Sequence, residues 1–191
     1  MARIVLASDG DAAVSLASVL VEEGIAITPC DTMYGIHGIV PATERKIRDI
    51  KGRHENKPLI VLQPSVESVL EIAADDLPES LLALWPGALT LILRTENGAV
   101  GYRVPADSFI LGVLEKTGPL YSTSVNLSGE PPLWRAKDIK NIFADKVDII
   151  IDGGDLPGKI PSTILDIRKK PYTILRQGAV ELPEEIRGVC T

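Results

Sequence analysis

Residues 42–62 read ATERKIRDIKGRHENKPLIVL, a helical pattern, a cationic loop and an apolar strand in direct succession. Ile47 and Ile50 recur at helical spacing, so the first part is expected as an amphipathic helix with its isoleucines inward and its cations outward. PLIVL is a short, continuous apolar run of the kind found in strands covered on both faces. A helix feeding a buried strand is the unit of an α/β sheet, and the same alternation extends in both directions from this segment.

Toward the N-terminus, RIVLAS reads as a strand, and Asp11 stands as the N-cap of a helix carrying Ala13, Leu16, Ala17 and Leu20 until Gly24 stops it. IAIT is a buried strand, and PCDTMYGIHGIVP, rich in Pro, Gly and Asp, reads as a loop. Toward the C-terminus, SVESVLEIA is a helix capped by Ser65, and PESLLALW is another with Pro78 in its first turn. TLILR and VGYRVP are joined by the turn signal ENG and form a hairpin. DSFILGVLEKTG is a capped helix, PLYSTS a strand, AKDIKNIFADK a helix, and VDIIID, STILDI and YTILRQG three further strands. Short β-branched strands interleaved with helices predict a mixed open α/β sheet flanked by helices, in a single domain spanning residues 1–191.

Composition narrows the function classes. The 191 residues carry a formal net charge of -6 with a pI near 5.0, which excludes coating nucleic acid along the whole surface, because that mode needs many Lys and Arg to release counterions. An anionic ligand must be met locally. No apolar run approaches the ~18 residues of a membrane span, and MARIVLASDGD meets an acidic residue too early for a secretory signal. Cys30 and Cys190 match no metal-ligand spacing and read as free thiols in a reducing compartment, so a cytoplasmic location is expected.

Five segments put polar residues at the end of a predicted strand, where open α/β sheets hold ligands: PCDTMYG, KGRHENKPL, GYRVP, STSVNLSGEPP, and PSTILD with ILRQG. Lys51, Arg53 and Lys57 lie within seven residues beside Gly52, an arrangement suited to a polyphosphate and equally to a solvated helix C-terminus. Ser122, Thr123, Ser124, Asn126 and Ser128 could hold an anion or a sugar without charge, and they also fit an ordinary turn. Asp31, Asp152 and Asp166 show no diagnostic spacing and read as structural, and Trp85-Pro86-Gly87 reads as a packing corner. There is no G-x-S-x-G and no P-loop, and His37 and His54 lie in unrelated contexts, so any chemistry would rest on positioning and charge stabilisation.

In order from about Ala12 to Val180, PCDTMYG, KGRHENKPLIV, WPGALTLIL, YRVP, STSVNLSGEPP, DGG, PSTILDI and ILRQGAV together resemble the YrdC-like family of threonylcarbamoyl-AMP synthases in its short single-domain form. The resemblance implies a twisted sheet with a cationic cavity on a concave face. It also implies a nucleotidyltransferase that joins L-threonine and bicarbonate as a carbamate to the AMP moiety of ATP, releasing pyrophosphate. Partner proteins then pass the threonylcarbamoyl group to the tRNA adenosine beside the anticodon.

Residue by residue, Lys51 and Arg53 match the family's K-x-R and are expected to neutralise the triphosphate and act in catalysis, with Lys57 also at the ATP. Ser124, Asn126 and Arg176 match nucleotide-holding positions. Thr32, Arg103, Ser122 and Ser162 match positions around threonine, Arg103 being the expected partner of its carboxylate. The resemblance assigns no metal ligand in the protein, and magnesium is expected to arrive with ATP.

The chain departs from the pattern in several places. The segment between Tyr34 and Lys51 is shorter, IHGIV replaces a more usual L-G-x-D-A, and Leu62, Ala99, Pro132 and Gln177 stand where many members have histidine, threonine, serine and proline. Two other readings use the same residues: a non-catalytic RNA-binding module, opposed by acidity and few aromatics, and a paralogue acting on another carbamoyl-adenylate. The sequence stops soon after ILRQGAV, so the extra domains of a carbamoyl-transfer relative are expected to be absent.

Overall fold

The computed structural model describes residues 1–52, 59–74, 76–96 and 98–191. The strands are β1 (Arg3–Leu6), β2 (Ala26–Thr28), β3 (Gly35–Ile39), β4 (Ile60–Leu62), β5 (Leu89–Thr95), β6 (Gly98–Arg103), β7 (Leu120–Ser124), β8 (Ile149–Asp152), β9 (Thr163–Asp166) and β10 (Thr173–Arg176). The helices are α1 (Ala12–Val21), α2 (Glu44–Lys51), α3 (Val66–Leu70), α4 (Glu79–Leu82), α5 (Ser108–Thr117), α6 (Ala136–Phe143) and α7 (Glu184–Arg187).

All these strands join one mixed sheet in the order β1-β8-β2-β3-β7-β4-β6-β5-β9-β10. The pairs β1/β8, β2/β8, β4/β6 and β5/β9 are parallel, and β5/β6 is the antiparallel hairpin expected around ENG. The mixed α/β architecture read from the sequence is the one observed.

Strand alternation decides what each face receives. On β8, Ile149 and Ile151 pack with Leu16 and Leu20 of α1 and Val113 of α5, while Ile150 points to the opposite face with Ile47 of α2 and Phe143 of α6. On β5, Leu89, Leu91 and Leu93 join a third core with Leu81, Trp85 and Ile186. The intervening Thr90 and Ile92 look the other way, into a cavity. Across β3, β7, β6 and β9 the cavity side carries Gly35, Ser122, Ser124, Gly101, Arg103 and Ile164, and small or polar side chains there leave room above the sheet.

Four local expectations are corrected. GIHGI, residues 35–39, forms strand β3 rather than a loop, paired on both sides by β2 and β7, and its glycines admit neighbours that a side chain would displace. Lys51, expected outward, is 3% exposed because the helix ends against the loop after β7. Asp11 sits at the N-cap position of α1 without making a cap bond, and accepts instead from Ser15 Oγ at 3.3 Å. Glu23, not Gly24, takes the left-handed conformation after α1, with φ of 59°. Elsewhere the caps are as read: Ser65 accepts from Ser68 N, Asp107 accepts from Ile110 N, and Gly118 has φ of 76°.

Candidate functional site

The loops at the strand ends converge on one cavity of about 360 Å³, within the range of ligand pockets. Thr32, Arg103, Ser122, Ser124, Ser162 and Arg176, drawn from segments spread over the chain, all line it. Lys51 and Asn126 are not among its lining residues, but both bond Ser124 at the Ser124 end of the cavity. Arg53 and Lys57 lie outside the described residues.

At that end the α2 helix delivers Lys51 to the loop after β7. Its ammonium donates to the Ser124 carbonyl and to Asn126 Oδ1 at 2.8 Å, and its own carbonyl accepts from Ser128 N at 3.0 Å. Ser124 Oγ donates to the same Asn126 Oδ1 at 2.6 Å, and Asn126 Nδ2 donates to Leu127 O and Glu130 O. A backbone carbonyl and a side-chain amide oxygen thus orient the buried ammonium.

Arg103 organises another part of the wall. Its Nε donates to Gly87 O at 2.9 Å, one terminal nitrogen to Thr32 Oγ1 at 2.9 Å, and the other to Asp31 Oδ2 at 2.5 Å. The expected partner of a substrate carboxylate therefore already has a carboxylate of its own. Burial works to raise the Asp31 pKa, but the Arg103 charge and bonds from the Cys30 thiol and Ala106 N hold it below the usual range. Burial and the Asp31 charge push the Cys30 thiol well above its ordinary value, so it is inert at neutral pH.

On the third side, Arg176 donates from Nε to Ser162 O at 2.9 Å and from a terminal nitrogen to Ser162 Oγ at 3.1 Å, while Ser162 and Thr90 hydroxyls meet at 2.8 Å. A Cβ at Gly178 would lie 2.2 Å from Pro161 O, so only glycine lets the segment after β10 press against the one before β9. Partial desolvation and then the charge of Arg103 lower the Arg176 pKa. Two guanidiniums that repel across one hollow favour an anionic ligand between them.

The structural readings of the aspartates hold: Asp31 pairs with Arg103, Asp152 with Lys140 and Asp166 with Arg168. Trp85 is a packing corner, its indole donating to Leu89 O at 2.7 Å, and the same corner supplies the Gly87 carbonyl that orients Arg103. Leu62 lines the cavity, while Ala99, Pro132 and Gln177 are not among its lining residues. Sequence reasoning missed Tyr34, whose hydroxyl donates to Gly154 O and accepts from Gly153 N, tying the PCDTMYG loop to the DGG segment. It also missed Thr90, an apolar-flanked position without a polar cluster to mark it, and read Cys30 only as a free thiol although it lies in the PCDTMYG segment.

Residues 18–178 match the family model Sua5_yciO_yrdC, described as "Telomere recombination". A threonylcarbamoyl-AMP synthase of Pyrococcus abyssi is 32% identical over 194 residues, covering 92% of this chain and 56% of that protein. The chain thus spans little more than half the length of this relative. The crystal structure of P. abyssi Sua5 complexed with L-threonine is similar with a TM-score of 0.85 at 29% identity, over 98% of this chain and 60% of that one. E. coli YciO has the same TM-score over 95% of this chain and 98% of its own, and at 21% identity that likeness is one of fold. With the family model spanning most of its length, the chain belongs to the Sua5/YciO/YrdC family.

Proposed function

We propose that this chain is a nucleotidyltransferase that makes L-threonylcarbamoyl-AMP and pyrophosphate from L-threonine, bicarbonate and ATP. The observation that carries the reading is a shared cavity with Thr32, Arg103, Ser122, Ser124 and Ser162 along its walls and a buried Lys51 bonded to Ser124 behind them. The L-threonine held by P. abyssi Sua5 supports the same substrate here.

In this reading the threonine nitrogen bonds to the bicarbonate carbon as its C–OH bond breaks and water leaves with an amine proton, and the resulting carbamate brings an anionic oxygen to the α-phosphorus of ATP. That oxygen forms the new P–O bond as the bond to the β-phosphate bridging oxygen breaks, and the electron pair leaves with pyrophosphate. No general base is needed. Lys51, with Arg53 of the same K-x-R run, stabilises the charge that builds on the phosphates, and ATP arrives as its magnesium complex. Ser124, Asn126, Arg176 and Lys57 hold the nucleotide. Thr32, Ser122 and Ser162 place the amino acid, with Arg103 acting on it through Thr32 and through its remaining N–H groups. The adenylate would then be consumed by proteins that transfer the threonylcarbamoyl group to tRNA in the cytoplasm.

Pyrophosphate release from ATP tests the reading, with L-threonine and bicarbonate omitted in turn. Release is expected only when both are present. Release supported by L-serine and not by L-threonine would contradict the substrate assignment.

A further inference from the structure

His37 is fully buried at the centre of β3, and among the described residues neither of its ring nitrogens has a hydrogen-bond partner. An unsatisfied buried polar group costs about 1–3 kcal/mol, so its presence in an otherwise well-satisfied interior asks for a use. Its location suggests one. His37 pairs across the sheet with Ser122, and strand alternation puts it on the same face as Gly35, which lines the cavity with Ser122 although His37 itself does not. The imidazole lies over the neighbouring Gly35: an ideal Cβ there would be 2.5 Å from Nε2 of His37 and 3.4 Å from Oγ of Ser122. Both polar atoms therefore approach the same point above the cavity floor, and glycine at 35 is what lets the ring lie there.

Burial keeps the imidazole neutral, pushing its pKa to about 4, with the Arg103 charge acting in the same direction. The Tyr121 backbone beside it works the other way without making a hydrogen bond. A neutral ring has one nitrogen that can only accept. Ser122 Oγ, half-buried on the cavity wall, has no side-chain partner among the described residues and can turn its proton by rotation about χ1.

We propose that His37 is a positioning residue for the amino-acid substrate: its Nε2 accepts the Ser122 hydroxyl proton when the cavity is filled, turning the Ser122 lone pairs toward a hydrogen-bond donor on the ligand. This rests on the reading of the cavity as an L-threonine site. Without the histidine, Ser122 can present either its proton or its lone pairs, and the ligand must fix that choice itself. With it, the polarity of the contact is set by the protein.

The test compares the wild-type chain with His37→Phe, His37→Gln and Ser122→Ala. L-threonine affinity is expected to fall about tenfold in His37→Phe, the loss of one ordinary hydrogen bond. It should recover in His37→Gln, whose amide oxygen replaces the Nε2 acceptor. His37→Phe combined with Ser122→Ala should lose no more than Ser122→Ala alone, and ATP affinity should be unchanged throughout. In ¹⁵N NMR of the wild type, the unprotonated His37 nitrogen should shift when L-threonine is added. A His37→Phe variant that binds L-threonine as well as wild type, or a nitrogen signal that does not move on binding, overturns this inference and leaves the site reading intact. Failure of the wild type to bind L-threonine overturns both.

Discussion

The Ser124 side and the Arg103 side of the candidate site hold their cations by different groups. Lys51 is buried against a carbonyl and a side-chain amide oxygen, whereas Arg103, equally buried, is held by the carboxylate of Asp31. A charge paired with a carboxylate is mostly spent on the protein, while a carbonyl and an amide oxygen fix where an ammonium points. The comparison separates a cation that acts on phosphate from one that builds the wall, although both sit in segments that look equally functional.

The sharpest break of this comparison is Arg103→Met. Removing one partner of a buried pair leaves an uncompensated carboxylate, which costs about 3–5 kcal/mol. A large fall in the urea midpoint of unfolding is expected, and a midpoint close to wild type would mean that the Arg103–Asp31 pair does not hold the wall. Lys51→Met probes the other end. It keeps the stem and removes the charge, and the rate of pyrophosphate release should drop about 10²–10³-fold, the scale of losing one preorganised charge-stabilising donor. A variant within a few-fold of wild type would remove Lys51 from the chemistry.

The smallest expected effect is on acid stability. His37 binds its proton at about pH 4 in the folded chain and near its ordinary 6.5 when unfolded, so the unfolded state takes up protons first as pH falls. Stability due to this group is fully present above pH 6.5 and declines toward pH 4, by up to roughly 3 kcal/mol for the whole shift. Asp31, also depressed, adds a loss in the same direction below its ordinary range. Urea midpoints at several pH values from 7 to 4 check this, and the slope between 6.5 and 4 should be shallower in His37→Phe.

Most of the sheet was legible because its strands are apolar runs of ordinary length and its helices carry a clear apolar stripe. β3 was not, since GIHGI interrupts the apolar pattern with two glycines and a histidine, residues that suggest a loop yet here serve close packing across the sheet. The site segments were legible as clusters of polar residues at strand ends. Their internal pairing was not: Lys51 meets Asn126 and Arg103 meets Asp31 across more than seventy residues of chain, and nothing local to either cation distinguishes the two settings. Only the fold decides which cation meets a carboxylate and which is oriented by a carbonyl and an amide oxygen.

The most direct test is a crystal structure of the chain with L-threonine and a non-hydrolysable ATP analogue. The phosphates are predicted between Lys51, Ser124 and Arg176, with threonine beside Thr32, Ser122 and Ser162 in the same cavity and the Arg103–Asp31 pair intact. Phosphates seated on Arg103 with Asp31 displaced, or the two ligands in separate places, would contradict the account.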